Sequence, residues 1–171
     1  LKTIWSFWHG IMKKILLISF IFSGLSFSQA LIPKLPQITA SSFLLIDAQT
    51  NKIIAQQNSQ ASTGLASITK IMTSYIVADY LKQGFLNIKD LTQVSEKCWR
   101  MEGSRMFIQE GKRVSIEDLM RGMIVQSGND AACALAEHIA GTQEDFASLM
   151  NDYAQRMELR NTNFTNPTGL P

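Results

Sequence analysis

This chain of 171 residues is short of histidine, cysteine and proline, with two, two and four of them. One histidine, His9, lies in an apolar leader. That leaves His138 alone in the remainder, which argues against a Ser-His-Asp triad and a multi-histidine zinc site. His138 stands near the end of a helical run closed by Gly141, where a cation suits the helix dipole, so its reading is structural. The cysteines, Cys98 and Cys133, have no metal-ligand spacing. Cys133 sits in an alanine-rich helical run and reads as a small core residue rather than a bonded partner. The chain has no internal repeat and no low-complexity tract. It is too apolar for disorder and long enough for one domain.

A lasting excess of positive charge is also missing. The formal net charge is +2, but Lys2, Lys13 and Lys14 belong to the leader, which contains no acid. Without it, 13 basic residues face 14 acidic ones, a net of −1. No electrostatic case for nucleic acid remains.

The leader has a basic Lys13-Lys14 start, an uncharged apolar run from Ile15 to Phe27, and a small-residue site at Ser28-Gln29-Ala30. This pattern predicts a secretory signal peptide over residues 1–30. Its apolar run is short and lacks a basic stop-transfer flank, which argues against a spanning anchor. Met12 is a natural start, which would make residues 1–11 upstream translation. Export to the periplasm or the outer face of the cytoplasmic membrane follows, and a disulfide becomes permissible there. No cysteine near the leader's end suggests lipidation.

Beyond the leader, Ser42–Asp47 and Lys52–Gln57 read as a β-hairpin. Two strands do not make a stable sheet alone, so partner strands are expected from elsewhere. A helix is expected from about Ser67 to Lys82, stopped by Gly84 and apolar enough on most faces to be central and buried. Arg105–Gln109 and Arg113-Val114, around Glu110-Gly111-Lys112, suggest a small second hairpin. Ser115 starts a helix with an acidic first turn, Ser127-Gly128-Asn129 interrupts it, and a new helix runs to Ala140. Thr142 caps a third, with Phe146, Leu149, Met150, Tyr153 and Met157 at helical spacing.

Two elements carry chemistry. Ser67-Ile68-Thr69-Lys70 puts a hydroxyl and an amine at i and i+3, on one helix face. Serine needs a base within hydrogen-bond reach, and burial can lower a lysine's pKa enough for it to serve. Ser127-Gly128-Asn129 could aim a hydroxyl and an amide at that pair, the first to relay a proton and the second to hold a substrate carbonyl and the lysine. Alone, it is also ordinary helix-turn-helix chemistry.

Ser-x-x-Lys followed by Ser-x-Asn belongs to the signature of penicillin-binding proteins and class A β-lactamases. With Ser42–Asp47, Ala66–Thr73, Gly111–Gly122, Ser127–Ala131, Ile139–Gly141 and Asn166–Leu170, the chain resembles the low-molecular-mass penicillin-binding proteins, the serine-type D-Ala-D-Ala carboxypeptidases. The resemblance covers nearly everything after the leader. It implies an α+β, β-lactamase/transpeptidase-like fold, an antiparallel sheet flanked by helices. Here that fold is incomplete, with the helical part and the first β-hairpin, and residues 31–171 are the N-terminal part of a truncated domain.

The resemblance also implies roles. Ser67 is the nucleophile and Lys70 its base. Ser127 passes a proton to the departing D-Ala, and Asn129 orients substrate and Lys70. The implied substrates are peptidoglycan stem peptides ending in D-Ala-D-Ala, with β-lactams as acylating inhibitors and no cofactor or metal. Membrane attachment would need a C-terminal segment not present.

Three departures qualify this. No Lys-Thr-Gly element occurs, so the polypeptide as it stands is expected to be inactive alone. Leu65 replaces the usual proline before Ala66-Ser67. Thr168 replaces a common histidine, and no role is assigned to it. A class A β-lactamase is the rival, but it favours Ser-Asp-Asn and needs a deacylating glutamate. The nearest Glu-x-x-Asn, Glu158–Asn161, is one residue short of that loop pattern. A non-catalytic truncated relative that binds peptidoglycan is the other alternative.

Overall fold

The computed structural model of the chain describes residues 37–171; the predicted leader lies outside them. Residues 37–59 belong to one unit and residues 60–171 to a second.

In the first unit, β1 (Phe43–Ile46) pairs antiparallel with β2 (Ile53–Gln57), the hairpin that the sequence predicts. Asp47 makes the turn: its Oδ1 accepts from the Thr50 amide at 2.8 Å and the Thr50 hydroxyl at 2.6 Å. The aspartate side chain thus takes over a backbone acceptor's task in the turn. Asn51 follows at φ 56°, a conformation asparagine tolerates better than most residues.

The second unit opens with a 3-10 turn, Ala66–Thr69, that runs into α1 (Lys70–Gln83). Gly84, at φ 77°, ends the helix where the sequence predicts. The short α2 (Glu96–Trp99) follows β3 (Leu91–Gln93). Then come β4 (Arg113–Ser115), α3 (Ile116–Gln126), α4 (Asn129–Ala140) and α5 (Gln143–Arg156). Ser95, Ser115 and Thr142 cap α2, α3 and α5, each accepting from the amide three residues on. Such a cap is worth about 1 kcal/mol.

Helix α4 is the axis of this unit. Ala131, Ala132, Cys133, Ala134, Leu135 and Ala136 are all buried. Small side chains let α1, α3 and α5 approach it closely. Ile116, Leu119 and Met123 of α3 pack against it with Val77 of α1. On another side, Ile76 of α1 meets Phe146, Met150 and Tyr153 of α5. Burying side chains of this size contributes roughly 1.5–3 kcal/mol each.

Three expectations are corrected. Helix α1 is buried on one face only: Met72, Thr73, Ile76 and Val77 are inside, while Ile71 and Tyr75, with Ile68 in the turn before it, are more than half exposed. The helices of this unit cover one side of it, and apolar character on the other side does not supply a cover. The second hairpin also differs. β4 pairs with β3 and not with residues 105–109, which form no strand. The amides of Met106 and Ile108 are instead taken by the Asp130 carboxylate, and Phe107 between them sits at φ 65°, outside the strand region.

Finally, Cys133 is not merely a core residue. It is disulfide-bonded to Cys98, with a Cα–Cα distance of 5.3 Å. The bond ties α2 to α4 across 35 residues of sequence. Closing a loop of that length in the unfolded chain is worth roughly 3–4 kcal/mol. Replacing both cysteines by alanine should therefore lower the melting temperature by several degrees in non-reducing buffer. An unchanged melting temperature would show that the bond adds nothing.

Candidate active site

The site begins with winding. In a 3-10 turn, side chains at i and i+3 eclipse, whereas in an α-helix they are offset. Ser67 lies in the 3-10 turn and Lys70 at its end, so the hydroxyl and the amine stack directly. Nζ of Lys70 is 3.0 Å from Oγ of Ser67. Ala66, just before the serine, is at φ 46°, a conformation that costs a non-glycine residue on the order of 1–2 kcal/mol. The strain stands immediately in front of the nucleophilic position.

Lys70 is 5% exposed. Burial pulls its pKa below the ordinary lysine value, because the charged form loses its hydration. Among the described residues no carboxylate lies within salt-bridge distance of it. Its second hydrogen bond goes to a neutral acceptor, the backbone carbonyl of Thr168, at 3.0 Å. An amine with two neutral acceptors and no counter-ion is easier to deprotonate than one paired with a carboxylate.

The pair opens into a cleft of about 300 Å³ lined by Ser67, Lys70, Ile71, Ser74, Met123, Ile124 and Ser127. Ser127 reaches it because α3 ends there in a left-handed residue, at φ 54°. Gly128 continues the turn with its amide on the Gly122 carbonyl. The structure thus brings Ser67, Lys70 and Ser127 around one space. Asn129 is buried beside it, and its hydrogen bonds run elsewhere: its amide donates to the Ser104 carbonyl at 2.8 Å and its Nδ2 to the Glu102 carbonyl at 2.7 Å. Asn129 therefore ties the start of α4 to the 102–104 loop. The Ser104 hydroxyl ties that loop in turn to the Gln126 carbonyl.

Residues 166–170 close over the start of α1. Thr168, to which no role was assigned, is 1% exposed and gives its carbonyl to Lys70. Pro167 gives its carbonyl to the Thr73 hydroxyl at 2.8 Å. Gly169, at φ 80°, presses against the Ala66 carbonyl so closely that a Cβ would stand 1.8 Å from that oxygen. A backbone acceptor has no residue-type signature; the Asn-Pro-Thr-Gly turn chemistry was the one available hint.

Comparisons with known proteins give the family. The D-alanyl-D-alanine carboxypeptidase family matches residues 29–171. The chain is 45% identical over 138 residues to D-alanyl-D-alanine carboxypeptidase DacA of Haemophilus influenzae, covering 79% of this chain and 35% of that protein. It is 39% identical over 157 residues to DacC of Escherichia coli, covering 88% and 39%. Among solved structures, penicillin binding protein 5 of Haemophilus influenzae superposes with a TM-score of 0.76 at 44% identity, covering 81% of this chain and 41% of that one. DacD of Francisella tularensis does so with 0.75 at 42%, covering 80% and 33%. The chain spans well under half the length of these relatives, and the expected partial α+β, transpeptidase-like fold is the one it shares with them. On motif, geometry and likeness together, the chain belongs to the D-alanyl-D-alanine carboxypeptidase family.

Proposed function

We propose that the intact protein is an exported serine D-Ala-D-Ala carboxypeptidase acting on peptidoglycan stem peptides. One observation carries the reading: a buried amine, with no counter-ion among the described residues, stands 3.0 Å from a serine hydroxyl in the lining of a cleft. Lys70 takes the Ser67 proton as Oγ attacks the carbonyl carbon of the penultimate D-Ala. The tetrahedral intermediate collapses, the peptide C–N bond breaks, and the departing amine of D-Ala takes a proton through Ser127. Water then hydrolyses the ester and restores Ser67. Asn129 contributes by fixing the turn that aims Ser127. A β-lactam offers a similar carbonyl, and its ring opening acylates the same oxygen.

The full-length protein should take a fluorescent penicillin covalently, and Ser67→Ala should abolish the label. Persistent labelling of that variant would place the nucleophile elsewhere. Residues 1–171 contain no Lys-Thr-Gly, the third element of this signature, and a polypeptide of these residues alone is expected to take no label. Long-lived label on the intact protein supports the carboxypeptidase, and rapid penicillin turnover would support a β-lactamase instead.

A further inference from the structure

Lys70 is held by a backbone carbonyl 98 residues away, and the side chain that aims that carbonyl is Asn166. Its Oδ1 accepts three hydrogen bonds: from the Thr168 amide at 3.0 Å, the Thr168 hydroxyl at 2.9 Å and the Gly169 amide at 2.7 Å. Its Nδ2 donates to the Leu170 carbonyl at 2.7 Å. The Thr168 hydroxyl accepts in turn from the Leu170 amide at 3.1 Å. One carboxamide therefore engages amides, a hydroxyl and a carbonyl that the turn would otherwise leave to water. The carbonyls of Pro167 and Thr168 then point at α1, to Thr73 and Lys70, residues one helical turn apart on the same face.

The consequence for Lys70 is directional. A neutral amine has two N–H bonds and one lone pair, and it works as a base only if the lone pair faces the Ser67 proton. A backbone carbonyl accepts and never donates. Once it holds one N–H, the amine cannot rotate freely about its last bond. We propose that Asn166 is a positioning residue for the Lys70 base: through the Thr168 carbonyl it turns the amine's lone pair toward Ser67. This rests on the acyl-transfer reading of Ser67 and Lys70. The other residues lining the cleft, Ser67, Ile71, Ser74, Met123, Ile124 and Ser127, carry no acid or amine, so orientation falls to hydrogen bonds.

The test uses the intact protein and two readouts. Acylation by penicillin is measured across pH and penicillin concentration. Separately, the titration of Lys70 is followed by NMR of its Cε, which needs no turnover. In Asn166→Ala the limiting acylation rate should fall at least tenfold, on the scale that small misplacements of a reacting group produce. The concentration at half-saturation should stay within about twofold, since the acylation step and not penicillin binding is impaired. The acid limb of the rate and the Lys70 titration should both move to higher pH as water reaches the amine. Asn166→Asp keeps the triple acceptor but loses the Nδ2 bond to the Leu170 carbonyl, so its rate should fall between wild type and alanine. Asn166→Ser, with a shorter oxygen, should show the same split at smaller size, and it decides the matter should the alanine variant not fold. A folded alanine or serine variant with wild-type rate, acid limb and Lys70 titration would overturn the proposal, as would an equal loss in the aspartate variant. Because the Lys70 titration is read without acylation, an intact protein that takes no penicillin would sink the acyl-transfer reading while Asn166 is still judged by the NMR.

Discussion

Replacing Lys70 by methionine is expected to cut acylation of the intact protein by penicillin about 10²–10⁴-fold at neutral pH, the range a general base contributes, without lowering its thermal stability. The two halves have one cause. Burial makes the charged lysine costly, and the structure offers it two neutral oxygens in place of a carboxylate. Because its folded pKa lies below its unfolded one, the unfolded chain binds the extra proton between those values. Stability therefore rises as pH climbs through that window, and the cost is fully present below the folded pKa. A buried methionine has no such cost, so Lys70→Met should melt at or above the wild-type temperature near pH 7 and lose that pH dependence. The same proton sets activity. Wild-type acylation should rise with pH as Lys70 deprotonates and level off below the ordinary lysine range, near 10.4. Pre-steady-state acylation rates across pH, with melting curves on the same samples, check both. A variant that acylates within a few-fold of wild type would remove Lys70 from the base role. A variant that melts far lower would mean the amine's two hydrogen bonds outweigh its desolvation.

What the sequence revealed of this site was its local part. Ser67 and Lys70 are three residues apart, so any helical winding puts them on one face; the 3-10 turn tightened a pairing already legible. Ser127 could be read because a serine-glycine break between two apolar helical runs is visible in one dimension. The caps at Ser115 and Thr142 and the stop at Gly84 were legible for the same reason. Long-range chemistry was not. The Lys70–Thr168 bond uses a backbone carbonyl, and every residue has one. The Cys98–Cys133 pair required knowing that α2 lies across α4, which spacing along the chain does not encode. The apolar run of Arg105–Gln109 favoured a strand, and a carboxylate more than twenty residues later overrode it. That carboxylate, Asp130, stands near the start of a helix, where an acidic residue is common and carries no sign of a distant loop.

Asp130 is where the second large effect is expected. It is 1% exposed. Its Oδ1 accepts from the Met106 amide at 3.0 Å and the Ala131 amide at 2.9 Å, and its Oδ2 from the Ile108 amide at 3.2 Å. Two of these donors straddle Phe107, which is held in the left-handed region and is 74% exposed. Removing the carboxylate in Asp130→Ala strands the Met106 and Ile108 amides, and Ile108 is buried. An unsatisfied buried donor costs about 1–3 kcal/mol, so the loss should be roughly 2–5 kcal/mol, reduced by about 1 kcal/mol if Phe107 relaxes to negative φ. Asp130→Asn keeps one acceptor oxygen and turns an N–H₂ toward a backbone N–H, so it should fall between wild type and alanine. The damage should reach the cleft as well. The loop Asp130 grips is the one that receives both hydrogen bonds of Asn129 and the Ser104–Gln126 contact. Those contacts set the left-handed turn at Ser127. Asp130→Ala should therefore slow acylation by at least tenfold at a temperature where the variant is still folded. Urea denaturation and penicillin labelling of the same samples separate the two effects. Lost stability with an undiminished acylation rate would mean the 102–108 loop holds the fold but does not position Ser127.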